Sequence, residues 1–374
     1  MGMSIDDKIH ALHEAAVKKT GYTDFGDDDY CEGLQRFLAA ISKVSTNAEL
    51  QGAVAEQNAT ALLASRLITQ KSWNDNPAWR DRSVVRPMIV MGIPRSGTTA
   101  LHHLLSLDPQ FQGIEHWLIW GPMARPPREQ WALEPLYKST VQRIADWRAA
   151  SPETVDAHAM EADDYDECLT LMAQTFQSNF LTSTHDIPDY DAWFRSQDET
   201  GSYSRFRDIL KLVGIRDERP WLLKNPSHTF GIDAMLRVFP DACVVQTHRH
   251  PVQSIASLVN LLCGYRGLMG MEGVDRSLVE RRETSFWSQA MRRTMAVEDR
   301  EPGRIINVLQ HEIRDDPLGV VRRIYERSGR ELSAEAESRM REWAMKNPPP
   351  RDIKPCLPTG RKRATCRRSL RSLH

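Results

Sequence analysis

The chain has 374 residues, 41% of them hydrophobic, enough for one large core with additions or for two smaller cores, and a single large domain is the expectation. Its 49 basic and 50 acidic residues nearly cancel, which excludes whole-molecule attraction to nucleic acid or to an acidic membrane surface and makes any anion site local. Six scattered cysteines without a C-x-x-C pair point away from structural zinc and a disulfide framework. The opening MGMSIDDKIHALHEAA lacks a leader pattern, and no run reaches the roughly 18 apolar residues of a membrane span. A soluble cytoplasmic protein is expected, with homo-oligomerisation left open.

Residues 5–70 carry helical periodicity, as in LQRFLAAI and AVAEQNATALLASRLIT, and predict a helical extension over 1–85. DFGDD at 24–28 shares letters with the magnesium-binding D-F-G of kinases, but no H-R-D loop precedes it and no glycine-rich loop lies upstream; aspartates capping a helix start are expected. PMIVMGI (87–93), WLLKN (221–225), ACVVQTHR (242–249) and RIINVLQ (304–310) are short continuous apolar runs. FGIDAMLRVF (230–239) and VQSIASLVNLL (252–262) are helical patterns among them. This alternation predicts an α/β core over 86–345, a P-loop-type parallel sheet covered by helices on both faces. An insertion at about 115–215, rich in Trp, Pro, Asp and Met, is expected to be helical or irregular and to face the substrate. PLGVVRRIYERSG and AEAESRMREWAM read as the last helices, followed by an irregular basic tail, 346–374.

GIPRSGTTALHHLL (92–105) follows the first apolar run and leads into a helical pattern, the layout of a phosphate-binding loop. Gly92 and Gly97 keep the spacing of G-x-x-x-x-G-K-[ST], but Thr98 stands where the lysine belongs and the cation is Arg95, inside the loop. A helix beginning here aims unpaired N–H groups and a partial positive charge at the turn. Gly97 lets backbone approach an anion, Ser96, Thr98 and Thr99 add hydroxyls, and Arg95 adds a charged fork. Phosphoryl transfer needs a lysine and a magnesium held by a strand-end acid. Neither is evident, since CVVQTHR ends in basic residues. A sulfuryl group carries less charge and can be transferred by fixed donors and cations without a metal.

PRSGTT, followed far downstream by THRHPVQSIAS, resembles the sulfotransferases that use 3'-phosphoadenosine 5'-phosphosulfate (PAPS), particularly their bacterial, mycobacterial-type branch. The resemblance implies that Arg95, Ser96, Gly97, Thr98 and Thr99 hold the 5'-phosphosulfate. It implies that Arg249 and Ser257, eight residues apart, hold the 3'-phosphate. LLKNPSH (222–228) resembles the family's central strand, so Lys224 is expected to stabilise the leaving phosphate, with His228 nearby as a base or a polar residue at a helix start. FQGIEHW (111–117) places Glu115 20 residues after Arg95, about where related enzymes with an R-S-G-T-T loop have a catalytic glutamate; His116, His158 and His228 are rivals. Trp117 and Trp120 supply an apolar neighbourhood suited to raising a glutamate's pKa. The tail departs from the family in lacking every aromatic.

The expected reaction is therefore sulfonate transfer from PAPS, without metal, to a hydroxyl of a small-molecule or lipid acceptor. The alternatives are an atypical P-loop kinase using ATP and a catalytically silent nucleotide-binding protein.

Overall fold

The computed structural model describes residues 3–347 apart from Thr46, residues 151–160, Gly270 and Glu272; the basic tail and His158 lie outside the described residues. The chain forms two compact units, one from the residues up to Val84 with Gly113–Glu218, the other from Val85–Gln112 with the chain from Arg219 onward.

The first unit is helical: α1 (Ile5–Thr20), α2 (Cys31–Ile41), α3 (Ala48–Asp75), α5 (Pro135–Ala150), α6 (Leu169–Met172), α7 (Asn179–Thr184), α8 (Pro188–Ser196) and α9 (Thr200–Val213). A capping box between Ser4 and Asp7 starts α1. Leu34, Phe37, Leu38 and Ile41, spaced three and four apart, give α2 one buried face. The 28-residue α3 carries Arg66 at its centre, fully buried. Here the structure corrects the expectation for DFGDD. Tyr30 precedes α2 with no side-chain cap, and no aspartate caps the helix. Instead Arg66 donates to the carbonyls of Phe25 (2.7 Å) and Asp27 and pairs with the Asp29 carboxylate. A buried guanidinium needs acceptors on all its N–H groups, and the segment folds around that need.

The second unit holds the sheet: β1 (Met88–Gly92), β2 (Leu222–Lys224), β3 (Cys243–His248) and β4 (Ile305–Leu309), all parallel, in the order β2-β1-β3-β4. Its helices are α4 (Thr98–Ser106), α10 (Ile232–Val238), α11 (Pro251–Leu268), α12 (Arg276–Arg300), α13 (Gln310–Asp315), α14 (Pro317–Ser328) and α15 (Ala334–Lys346). The four apolar runs all became strands of one α/β fold. Every residue of β1 is buried, and each large apolar side chain there contributes about 1.5–3 kcal/mol. β2 is shorter than its apolar run because Asn225 leaves the ladder: its Oδ1 accepts from the Ser227 amide at 3.0 Å and starts the turn Pro226–Thr229. Pro251 opens α11 at the first-turn position that needs no N–H. No helix among the described residues is long and apolar enough to cross a membrane.

Candidate active site

The loop after β1 is shaped by close approach to β3. Gly92 pairs with Thr247, and a Cβ at Gly92 would meet the Thr247 carbonyl at 2.4 Å, so only glycine fits. Gly97, at φ 98°, is the residue before α4 and provides no side-chain cap. Arg95 has φ 71°, the left-handed region that costs a non-glycine residue roughly 1–2 kcal/mol. Strain of this kind is retained where a ligand-facing conformation matters. The Ser96 hydroxyl is 2.6 Å from the Thr247 hydroxyl and fully buried, which ties the loop to β3. Thr98 is buried and Thr99 exposed, both in the first turn of α4, where backbone N–H groups have no intrahelical partner.

The expected anion residues of this unit come together. Arg95 Nε donates to Ser257 Oγ at 3.2 Å, Arg249 Nη1 donates to the Arg95 carbonyl at 3.2 Å, and Arg249 Nε donates to Gln253 at 3.3 Å. The loop, the end of β3 and the first turns of α11 thus share one network. Neither guanidinium has a carboxylate partner among the described residues. Burial, and after it the Arg95 charge, pulls the Arg249 pKa below its ordinary value. Two cations held close together and partly desolvated are costly until an anion arrives. A cavity of about 530 Å³ reaches Arg249 and is also lined by His248, His250, Gln310, His311 and Arg314, within the usual size of a small-molecule site.

Lys224 ends β2 opposite Val90 of β1 and is 3% exposed. His228, in the turn that follows, is fully buried, and burial pushes its pKa down to about 3. An imidazole with so little proton affinity is a poor general base at neutral pH, which argues against that half of its expected role. The structure adds His102, one turn into α4 and 1% exposed. Burial first, and the charge of Lys224 second, hold its pKa well below the usual histidine value. The spacing of four from Thr98 was the signal available in the sequence, since it sets both on one helix face.

In the first unit, Glu115 is buried, with Arg125 Nε 3.1 Å from its Oε2; Arg125 Nη1 lies 3.5 Å from Asp217, and another of its N–H groups donates to the Gly113 carbonyl. Its neighbour His116 is differently placed. The His116 amide donates to the Asp164 carbonyl and the Asp166 amide to the Ile114 carbonyl, both at 2.8 Å, so the two side chains face each other with Nδ1 2.6 Å from Asp166 Oδ2. A carboxylate on one ring nitrogen orients the imidazole and leaves the other nitrogen to face a reactant. Arg125 and Asp166, 10 and 51 residues from Glu115, gave no local signal in the sequence.

The sulfotransferase family pattern matches residues 87–334, more than half the chain. The sulfotransferase STF1 of Mycobacterium tuberculosis H37Rv is 35% identical and superposes with a TM-score of 0.81, covering 89% of this chain and 92% of that one. STF9 of Mycobacterium avium is 26% identical, with a TM-score of 0.84 over 97% and 95%. Among characterised sequences, the omega-hydroxy-beta-dihydromenaquinone-9 sulfotransferase Stf3 of Mycobacterium bovis is 24% identical over 255 residues, 65% of this chain but 62% of that relative, less than two thirds of its length. With a loop, a strand-end arginine and a helix serine joined in one network, and with these likenesses, the chain belongs to the sulfotransferase family.

Proposed function

We propose that the protein transfers a sulfonate from PAPS to a hydroxyl of a small-molecule or lipid acceptor. The observation that carries this reading is the pair Arg95 and Arg249, bonded through the loop and left without carboxylates among the described residues. PAPS carries a 5'-phosphosulfate and a 3'-phosphate, and two separate cationic groups suit two separate anions. On this reading the N-terminus of α4 with Arg95 and Thr99 takes the phosphosulfate, Arg249 and Ser257 take the 3'-phosphate, and Ser96 and Gly97 fix the loop's path. The acceptor oxygen attacks sulfur, the bond from sulfur to the bridging oxygen breaks, and 3',5'-adenosine bisphosphate leaves with its new negative charge facing Lys224. His228 serves as a neutral ring.

The acceptor's proton goes to Glu115 in the first reading. A second reading gives it to His116, favoured by the 2.6 Å contact with Asp166 that leaves Nε2 to accept. Stf3 is named for an omega-hydroxy-beta-dihydromenaquinone-9 acceptor, and by that likeness a hydroxyl on an apolar body is the acceptor class proposed for this chain. Incubation with labelled PAPS and a lipid extract, followed by mass spectrometry, tests the reading. A new sulfate ester supports it. Labelled phosphate transfer from magnesium ATP in its place would favour a kinase, and donor binding without any product would favour a silent binding protein.

A further inference from the structure

His102, on the loop helix, carries chemistry that the proposed reaction leaves unused. Its ring is 1% exposed, and its Nε2 is buried without a hydrogen-bond partner among the described residues. Buried imidazole nitrogens are ordinarily satisfied, so an unmade bond in the interior asks for an explanation. The helix that carries it packs on β2, the strand that ends in Lys224, and the Lys224 charge acts on the ring. Burial and that charge together keep the imidazole neutral, so its lone pair remains available to a donor.

Lysine is a flexible stem ending in three rotatable donors, with no built-in directionality. A lysine that must meet charge developing at one oxygen needs a fixed acceptor behind it, since preorganisation is what makes such a cation effective. A side chain set in the second turn of the loop helix supplies that fixture, and it links the lysine to the same helix whose N-terminus receives the anion. We propose that His102 is a positioning residue for Lys224, its Nε2 serving as the acceptor that holds the lysine ammonium in place once the donor is bound. This inference rests on the reading of Lys224 as a group that contacts the sulfonate end of PAPS.

The experiment measures the affinity of the full-length protein for PAPS and for 3',5'-adenosine bisphosphate, which lacks the sulfonate, in five forms: wild type, Lys224→Met, His102→Asn, His102→Gln and the double variant Lys224→Met with His102→Asn. Asparagine reaches only the Nδ1 position, whereas glutamine can place its carbonyl oxygen near Nε2. Lys224→Met is expected to weaken PAPS about tenfold while changing the bisphosphate less than about threefold. His102→Asn is expected to weaken PAPS at least about fivefold in the same selective way, His102→Gln to restore most of it, and the double variant to be no weaker than Lys224→Met alone. Wild-type affinity in His102→Asn, or multiplying effects in the double variant, would overturn the positioning role while leaving Lys224 in place. Equal weakening of both ligands without rescue by glutamine would overturn it too, as a purely structural effect. Wild-type PAPS affinity in Lys224→Met would instead overturn the reading of Lys224 on which the inference rests.

Discussion

Two pairs of arginines, one pair in each unit, are treated in opposite ways. In the helical unit, Arg125 lies against the carboxylates of Glu115 and Asp217, and Arg66 is surrounded by Asp29 and backbone carbonyls. In the sheet unit, Arg95 and Arg249 meet a hydroxyl, an amide and a carbonyl but no carboxylate among the described residues. A buried guanidinium with its counter-charge supplied by the chain is part of the framework, and removing it strands the carboxylates it served. A guanidinium whose counter-charge is missing is held ready for an anion from outside. The contrast separates building from binding within one residue type.

Arg125→Met should break the first side of that contrast hardest. Leaving Glu115 and Asp217 without their cation is expected to cost about 3–5 kcal/mol, read as a fall in chemical-denaturation midpoint. A loss below about 1 kcal/mol would mean that the cluster is not framework. Next comes the proton acceptor. With an acceptor in hand, replacing the true base should slow turnover about 10²- to 10⁴-fold with donor affinity kept. Glu115→Gln and His116→Gly can be compared directly, and recovery of the glycine variant by added imidazole would assign the role to His116.

Arg249→Met sharpens the second side. Without ligand its stability should stay within about 0.5 kcal/mol of wild type, or rise, because a cation beside a cation is removed. The smallest effect concerns Glu312, whose carboxyl is held at about 2 by hydrogen bonds from Arg323 and then from the Leu309 amide. A depressed carboxyl pKa contributes stability above the ordinary carboxylate range and loses it as pH falls toward the folded value. Arg323→Met should therefore cost about 1 kcal/mol at pH 6, allowing for the pair's partial exposure, and the gap should narrow as pH falls below the ordinary carboxylate value and close only below about pH 2.

Much of the fold was legible in the sequence because a strand buried on both faces needs an unbroken apolar run, and MIVM, WLL, CVV and RIINV supply it within a few residues of where the strands lie. The anion loop was legible for a similar reason: Gly92, Arg95, Gly97 and Thr98 act through local backbone geometry, so their order in the chain is their arrangement in space. Arg249 and Ser257, eight residues apart across the start of α11, were expected from the family resemblance. What did not show was any partnership across distant segments. Nothing beside Glu115 announces Arg125, nothing beside His116 announces Asp166, and the aspartates of DFGDD looked like helix caps until Arg66, some 40 residues on, claimed the carbonyls of Phe25 and Asp27. His228 read as a candidate base because its residue type permits it; the burial that lowers its proton affinity is a tertiary property.

The central claim, that the sheet unit keeps two arginines uncompensated for a donor with two anionic ends, is tested most directly by calorimetric titration of 3',5'-adenosine bisphosphate into wild type, Arg95→Ala and Arg249→Ala. The account predicts binding that EDTA leaves unchanged and that Arg249→Ala weakens at least about tenfold, with a smaller loss for Arg95→Ala on this sulfonate-free ligand and a full one on PAPS. Full affinity for PAPS in both variants, or binding that requires magnesium, would contradict it.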